Sequence, residues 1–214
     1  MTTTTIAAVQ LVRGALAWTS GYEVDADGCP RAYHPGGGGL DALGNARADD
    51  GAWVGVVTNA MGSPLVQGPD DPAPGYYISQ TALQDRSRAF DDPARYVDSS
   101  MVPYISIPPE LERRGVKLGD LVMVAYKERA VAAIVADVGP HRKLGEGSIA
   151  LAQLLGIPSS PRNGGVDHGV TWVAFPGSGA GWPVAVEDFS AQASLLFEQW
   201  GGIEAAEAVQ APNA

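Results

Sequence analysis

Two acids nine positions apart, Asp137 and Glu146, are the side chains in this sequence best spaced to do chemistry together. A carboxyl that stays protonated can hand a proton to a leaving oxygen, while a carboxylate that stays ionised takes one from water. Cleavage of a glycosidic bond with inversion uses one of each, about 6.5–9.5 Å apart. The two positions have different surroundings. Asp137 closes the apolar run 130–137, in which Val131, Ala133, Val135 and Asp137 share one face by the two-residue period of a strand. Burial among apolar neighbours there is expected to raise its proton affinity. Glu146 stands between Gly145 and Gly147, just ahead of Ser148. Asp137 is therefore read as the acid and Glu146 as the base that activates water, with the exchange of roles left open.

The elements that must hold these acids are legible around them. Residues 121–126 and 130–137 are apolar runs of strand length, separated by charged residues at 127–129, and predict a β-hairpin. Gly139-Pro140 stops the second strand. Ser148 is the expected N-cap of a helix over 149–155, which Gly156 and Pro158 end. Further strands are expected at 53–58, 76–83, 102–108 and 170–175, a helical turn at 110–115, and an amphipathic helix at 186–200 built on Phe189, Leu195, Leu196, Phe197 and Trp200. The long polar stretch 159–169 is a candidate cleft wall.

Composition bounds the rest. The 214 residues (22.2 kDa) include 27 glycines and 16 prolines, which favours a loop-rich, mainly β domain. A net charge of −10 argues against a nucleic-acid partner and agrees with a cationic one. No apolar run approaches the ~18 residues of a membrane span. The N-terminus lacks a basic region and Arg13 interrupts its apolar residues, so no signal peptide is read. Cys29 is the single cysteine, which leaves no intramolecular disulfide. The organisation expected is an N-terminal segment 1–20, a β-barrel catalytic domain 21–183, a helix 184–202 packed on the barrel and a flexible tail 203–214.

Competing motifs carry less. The glycines at 36–39 lack the lysine and serine or threonine of a phosphate loop. His34, His141 and His168 match no metal spacing, so neither metal nor cofactor is expected. Cys29 with His34 lacks an orienting third group, and Ser178 lacks the frame of a nucleophile elbow. Asp25 and Asp27, in Asp25-Ala26-Asp27-Gly28, read as a capped turn or as acids facing substrate. Tyr22, Trp53, Tyr76, Tyr77 and Trp172 are read as core aromatics, with stacking on sugar rings as the alternative.

The run VPYISIP, the strands ending in ADVGP, GEGSIALA and HGVTWVAFPGS resemble the glycoside hydrolase family 75 chitosanases across roughly residues 102–178. Asp25–Gly28 and the SQTAL segment at 79–83 are similar to that family's acidic-glycine turn and QTS-type segment. The strand, aspartate, loop and helix succession also resembles double-psi β-barrels of the expansin and lytic transglycosylase kinds. The resemblance implies a six-stranded double-psi-type β-barrel and endo-hydrolysis of chitosan with inversion, with Asp137 and Glu146 matching the family's two carboxylates. It further implies Asp25, Asp27, Tyr77, Gln80 and His141 as substrate contacts, an amino-sugar polymer as partner, and an extracellular site of action. This chain departs from the family in the loop DVGPHRKLGEG, where His141, Arg142 and Lys143 set cations beside the acids. The other readings are a non-catalytic barrel that binds polysaccharide or docks in a larger assembly, and a peptidoglycan-cleaving enzyme that uses Asp137 alone.

Overall fold

The computed structural model describes residues 8–48, 50–179 and 181–210, so residues 1–7 of the expected N-terminal segment and 211–214 of the expected tail lie outside the described residues. In chain order the elements are β1 (Gln10–Val12), β2 (Ala15–Asp25), β3 (Tyr104–Ile107), α1 (Pro109–Arg113), β4 (Leu121–Tyr126), β5 (Arg129–Val138), β6 (Glu146–Ser148), α2 (Ile149–Leu155), β7 (Val166–Phe175), α3 (Val186–Trp200) and α4 (Gly202–Gln210).

Six of the strands close on one another. β2 pairs antiparallel with β7, β7 with β4, and β4 with β5; β5 runs parallel to β3, β3 antiparallel to β6, and β6 parallel to β2. The result is the closed six-stranded, mainly β barrel expected, with β1 added on the edge of β2 ahead of β6. Closure leaves the barrel without a free sheet edge. Among the described residues no helix is long and apolar enough to cross a membrane.

Apolar periodicity explains the layers. In β4, Val122 and Val124 point into the barrel with Leu16, Trp18, Tyr22, Val135 and Trp172, while Leu121, Met123 and Ala125 point outward. The outer set is covered by Phe189, Ala193, Phe197 and Trp200 of α3, which is why β4 is apolar on both faces. Trp18 and Trp172, opposite one another on β2 and β7, stack at 6.2 Å, and Tyr22 stacks on Trp172 at 5.4 Å. Tyr22 and Trp172 are thus core, as their strand positions suggest. Leu151, Ala152 and Leu155 of α2 pack on the same core; Ser148 caps that helix by accepting from the Leu151 N–H, and Gly156 ends it in the left-handed conformation.

Three expectations change. Residues 15–25, whose first part reads equally as strand or short helix and whose second part reads as loop, form the long barrel strand β2, whose Gly21 and alternating polar residues hide its period. The segments 53–58 and 76–83 do not form strands; they meet through the single bridge Val56–Ser79, and Tyr77 makes another to Val66 in the loop between them, where Pro64, Pro72, Pro74 and Gly75 interrupt any longer ladder. The alanine-rich stretch after 203 continues as α4, with Ala206 buried against the outer core. Among its described residues, the excursion between β2 and β3 is otherwise loop apart from a short 3-10 helix, Pro93–Arg95, with its own small cores around Tyr33 and Ile78.

Candidate active site

Strand register brings the two acids together. On β3, Ser106 stands opposite Asp137 of β5 on one side and opposite Glu146 of β6 on the other. Residues paired across adjacent strands project from the same face, so Asp137, Ser106 and Glu146 form one row. Two strand spacings separate the outer members, about 9–10 Å between their backbones. Glu23 of β2, opposite Glu146, extends the row by one strand.

The face is not the one that period-two counting gives. Ile105 pairs with Val135 but Ser106 pairs with Asp137, so Ala136 is the extra residue of a β-bulge. Ile105 and Ile107 point into the barrel and Tyr104 points out, which puts Ser106 and its partner Asp137 outside. Val131, Ala133 and Val135 remain turned inward; Asp137 does not share their face. Its carboxylate lies instead under the excursion, where Oδ1 accepts the Ala82 N–H at 2.8 Å. Burial there, against the opposing hydrogen bonds from Ala82 and Val138 and with help from the Glu146 charge, pushes the Asp137 carboxyl up to about 7.

Two more acids join from the start of the excursion. Asp25, at the end of β2, accepts the Asp27 N–H at 2.8 Å, the capped turn that the sequence suggested. Asp25 is buried, and burial together with the charges of Glu146 and Asp137 raises its proton affinity far above the ordinary carboxyl range. Asp27 is raised for the same reasons, burial first and then Asp25 and Asp137, although the Tyr33 hydroxyl donates to its Oδ1 at 2.7 Å. Tyr104 donates its hydroxyl to the Asp27 carbonyl at 2.9 Å and closes the cluster from β3. Asp25, Asp27 and Asp137 lie within charge range of one another and of Glu146, and each of the three binds its proton more tightly than an ordinary carboxyl.

Glu146 has other company. Its Oε1 receives the Lys143 ammonium at 2.8 Å, and Lys143 also reaches Glu23 Oε2 at 3.0 Å. A cleft of about 420 Å³ opens on this side, walled among others by Glu23, His141, Lys143, Gly165 and Asp167; neither Asp137 nor Glu146 is among its walls. His141, on the exposed part of the loop, pairs with Glu110 at 3.1 Å. Gln80 donates its amide to the Val54 carbonyl, two residues before the Ala82 that holds Asp137, and Tyr77 packs edge-on against Trp53. Of the sequence candidates, Asp25, Asp27, Asp137 and Glu146 form one charge-coupled group, Gln80 adjoins it, and Tyr77 and His141 stand further off on their own partners. Ser106, Tyr104, Tyr33 and Glu23 escaped the sequence reading; Ser106, the only polar residue in an otherwise apolar YISI strand, carried a signal.

Gly139 shows how tightly this row is set. A methyl group there would meet Glu146 Oε2 at 2.8 Å and Ser106 Oγ at 2.9 Å, both movable side-chain ends. Gly139→Ala is expected to leave the melting temperature within a few degrees while displacing the Glu146 carboxylate and lowering kcat by about tenfold. Thermal denaturation beside steady-state rates checks this; an equal loss in both would mean that Gly139 serves the fold alone.

Comparison with known proteins agrees with this geometry. No curated protein matches the chain. A family model described as the fungal chitosanase of glycosyl hydrolase group 75 matches residues 73–200, a span that holds Asp137, Glu146, Ser106 and Lys143 and begins after Asp25 and Asp27. With three-fifths of its length so matched, and a closed barrel carrying paired acids on one face, this chain belongs to glycosyl hydrolase group 75, the fungal chitosanase family, and is a glycoside hydrolase acting on polysaccharide.

Proposed function

We propose that the protein is an endo-acting, inverting hydrolase of β-1,4-linked glucosamine polymer, with Asp137 as general acid and Glu146 as general base. The observation that carries this reading is the row Glu146–Ser106–Asp137, two strand spacings wide on one outward face. An inverting pair works with its carboxyl groups about 6.5–9.5 Å apart, room for a sugar linkage and a water, and a row that sets the two acids on one face with a residue between them supports that reading.

The roles follow from the surroundings. Asp137, pushed up to about 7, keeps its proton in mildly acidic solution and can deliver it to the leaving glycosidic oxygen. Glu146, paired with a lysine ammonium, is the carboxylate that takes a proton from water as that water attacks the anomeric carbon from the opposite face. One turnover leaves Asp137 ionised and Glu146 protonated; exchange with solvent restores both. Asp25 and Asp27, which hold their protons tightly, are assigned to the substrate side as hydrogen-bonding rather than anionic groups, and Gln80, Tyr77 and His141 are assigned to sugar contacts further along.

Proton NMR of soluble chitosan oligomers during hydrolysis tests the proposal. The α-anomer of the new reducing end should appear first, with a rapid fall in chain length. First appearance of the β-anomer would overturn inversion, and no new reducing ends would overturn the substrate.

A further inference from the structure

Ser106 stands in the middle of the row, with Asp137 opposite it on one side and Glu146 on the other. It is only 5 % exposed, yet among the described residues its hydroxyl has no hydrogen-bonding partner. A buried hydroxyl in that condition is satisfied by an ordered water or by a ligand. An apolar residue would fill the same place in the YISI strand without leaving a polar group to satisfy.

Glu146 is the group placed to share that water. The point where a side chain on Gly139 would begin lies 2.8 Å from Glu146 Oε2 and 2.9 Å from Ser106 Oγ. Two oxygens so close to one point converge beside the bare glycine and are within reach of a single bridging water. The carboxylate is held from its other end, where Oε1 takes the Lys143 ammonium at 2.8 Å, and Oε2 has no partner among the described residues. A water held by a base alone can still swing about that one hydrogen bond. A hydroxyl, which both donates and accepts, supplies a second point and fixes the direction of attack.

We infer that Ser106 is a positioning residue for hydrolysis: its hydroxyl and Glu146 Oε2 together hold the water that attacks the anomeric carbon. The inference rests on the reading of Glu146 as the base. In the step, the water oxygen bonds to the anomeric carbon and passes one proton to Glu146 Oε2, while Ser106 keeps its hydrogen bond to that oxygen. The bond to the leaving oxygen breaks, and the electron pair that departs with it takes the Asp137 proton. Ser106 itself neither gains nor loses a proton.

The test is steady-state hydrolysis of chitosan by Ser106→Ala and Ser106→Cys, each alone and combined with Glu146→Gln, with kcat referred to the folded fraction measured by circular dichroism. The cysteine keeps the shape of the side chain but is a weak donor and acceptor, so a loss in it reports the hydroxyl and not the packing. Each single variant should lower kcat about tenfold and leave KM within twofold. A glycoside with an activated leaving group should show the same loss, since water attack is common to both substrates. On top of Glu146→Gln the same substitutions should cost less than twofold, because a residue that acts through the base has little left to do without it. A kcat within twofold of wild type in either single variant, a loss confined to KM, recovery with the activated leaving group, or a full tenfold loss repeated on top of Glu146→Gln overturns the assignment and leaves the hydrolase standing. Undiminished activity in Glu146→Gln alone removes the base instead, and this assignment with it.

Discussion

Asp137→Asn and Glu146→Gln should each lower kcat on chitosan by about 10²–10⁴-fold, the range that a positioned acid or base contributes, with little change in KM. Both substitutions keep the shape of the side chain, and an asparagine at 137 still accepts the Ala82 N–H, so the row across β5, β3 and β6 stays in place. The double variant should be scarcely slower than either single one, because each removes a member of the same unit. A glycoside whose leaving group needs no proton separates the roles: it should restore rate to Asp137→Asn and not to Glu146→Gln. Restoration in the Glu146 variant alone would exchange acid and base, and activity within tenfold of wild type in both would remove these carboxylates from the mechanism. Loss in Asp137→Asn alone would point to chemistry by a single aspartate.

The second large effect is the dependence of rate and stability on pH. Asp137 moves from an ordinary value of 3.8 to about 7 in the folded protein, burial being the main cause. The folded state then binds a proton that the unfolded chain has lost between these values. Stability from this group is complete below about pH 4 and declines as pH rises through 7, by up to about 4 kcal/mol at 1.36 kcal/mol per unit. Asp25 and Asp27, raised in the same direction, add to the decline. Asp137→Asn removes the cost of ionising this position, so at pH 8 the inactive variant should be more stable than wild type by a few kcal/mol, while at pH 4 the two should nearly coincide. Urea unfolding at both pH values measures this. A wild type that gains stability from pH 4 to 8, with no advantage for the variant at pH 8, would contradict it. The rate should also fall above about pH 7, as the acid loses the proton that it delivers.

These two results pull in opposite directions at one residue. On the mechanism proposed, a proton held near neutrality at Asp137 serves the reaction, and stability at alkaline pH is what is given up.

How much of this was legible in sequence depends on the range of the interactions involved. The β4–β5 hairpin, the Ser148 cap, the left-handed Gly156 and the amphipathic α3 are fixed by residues within a few positions of one another, and period and capping chemistry reveal them. The pairing of Asp137 with Glu146 was visible through their spacing and their resemblance to a family. Tertiary structure decided which face they share. One extra residue in β5, Ala136, turns Asp137 out of the barrel, and no alternation of apolar side chains announces a bulge that only pairing with β3 defines. The same holds for Glu23, Ser106 and Tyr104, set beside the acids by register across strands up to 126 positions apart, as Tyr22 and Ser148 are. Composition and spacing thus determined a mainly β chain with two acids capable of acting together. Contacts between distant segments determined that these acids meet outside the barrel, under a loop that buries one and beside a lysine that pairs with the other, because proton affinity is set by neighbours in space.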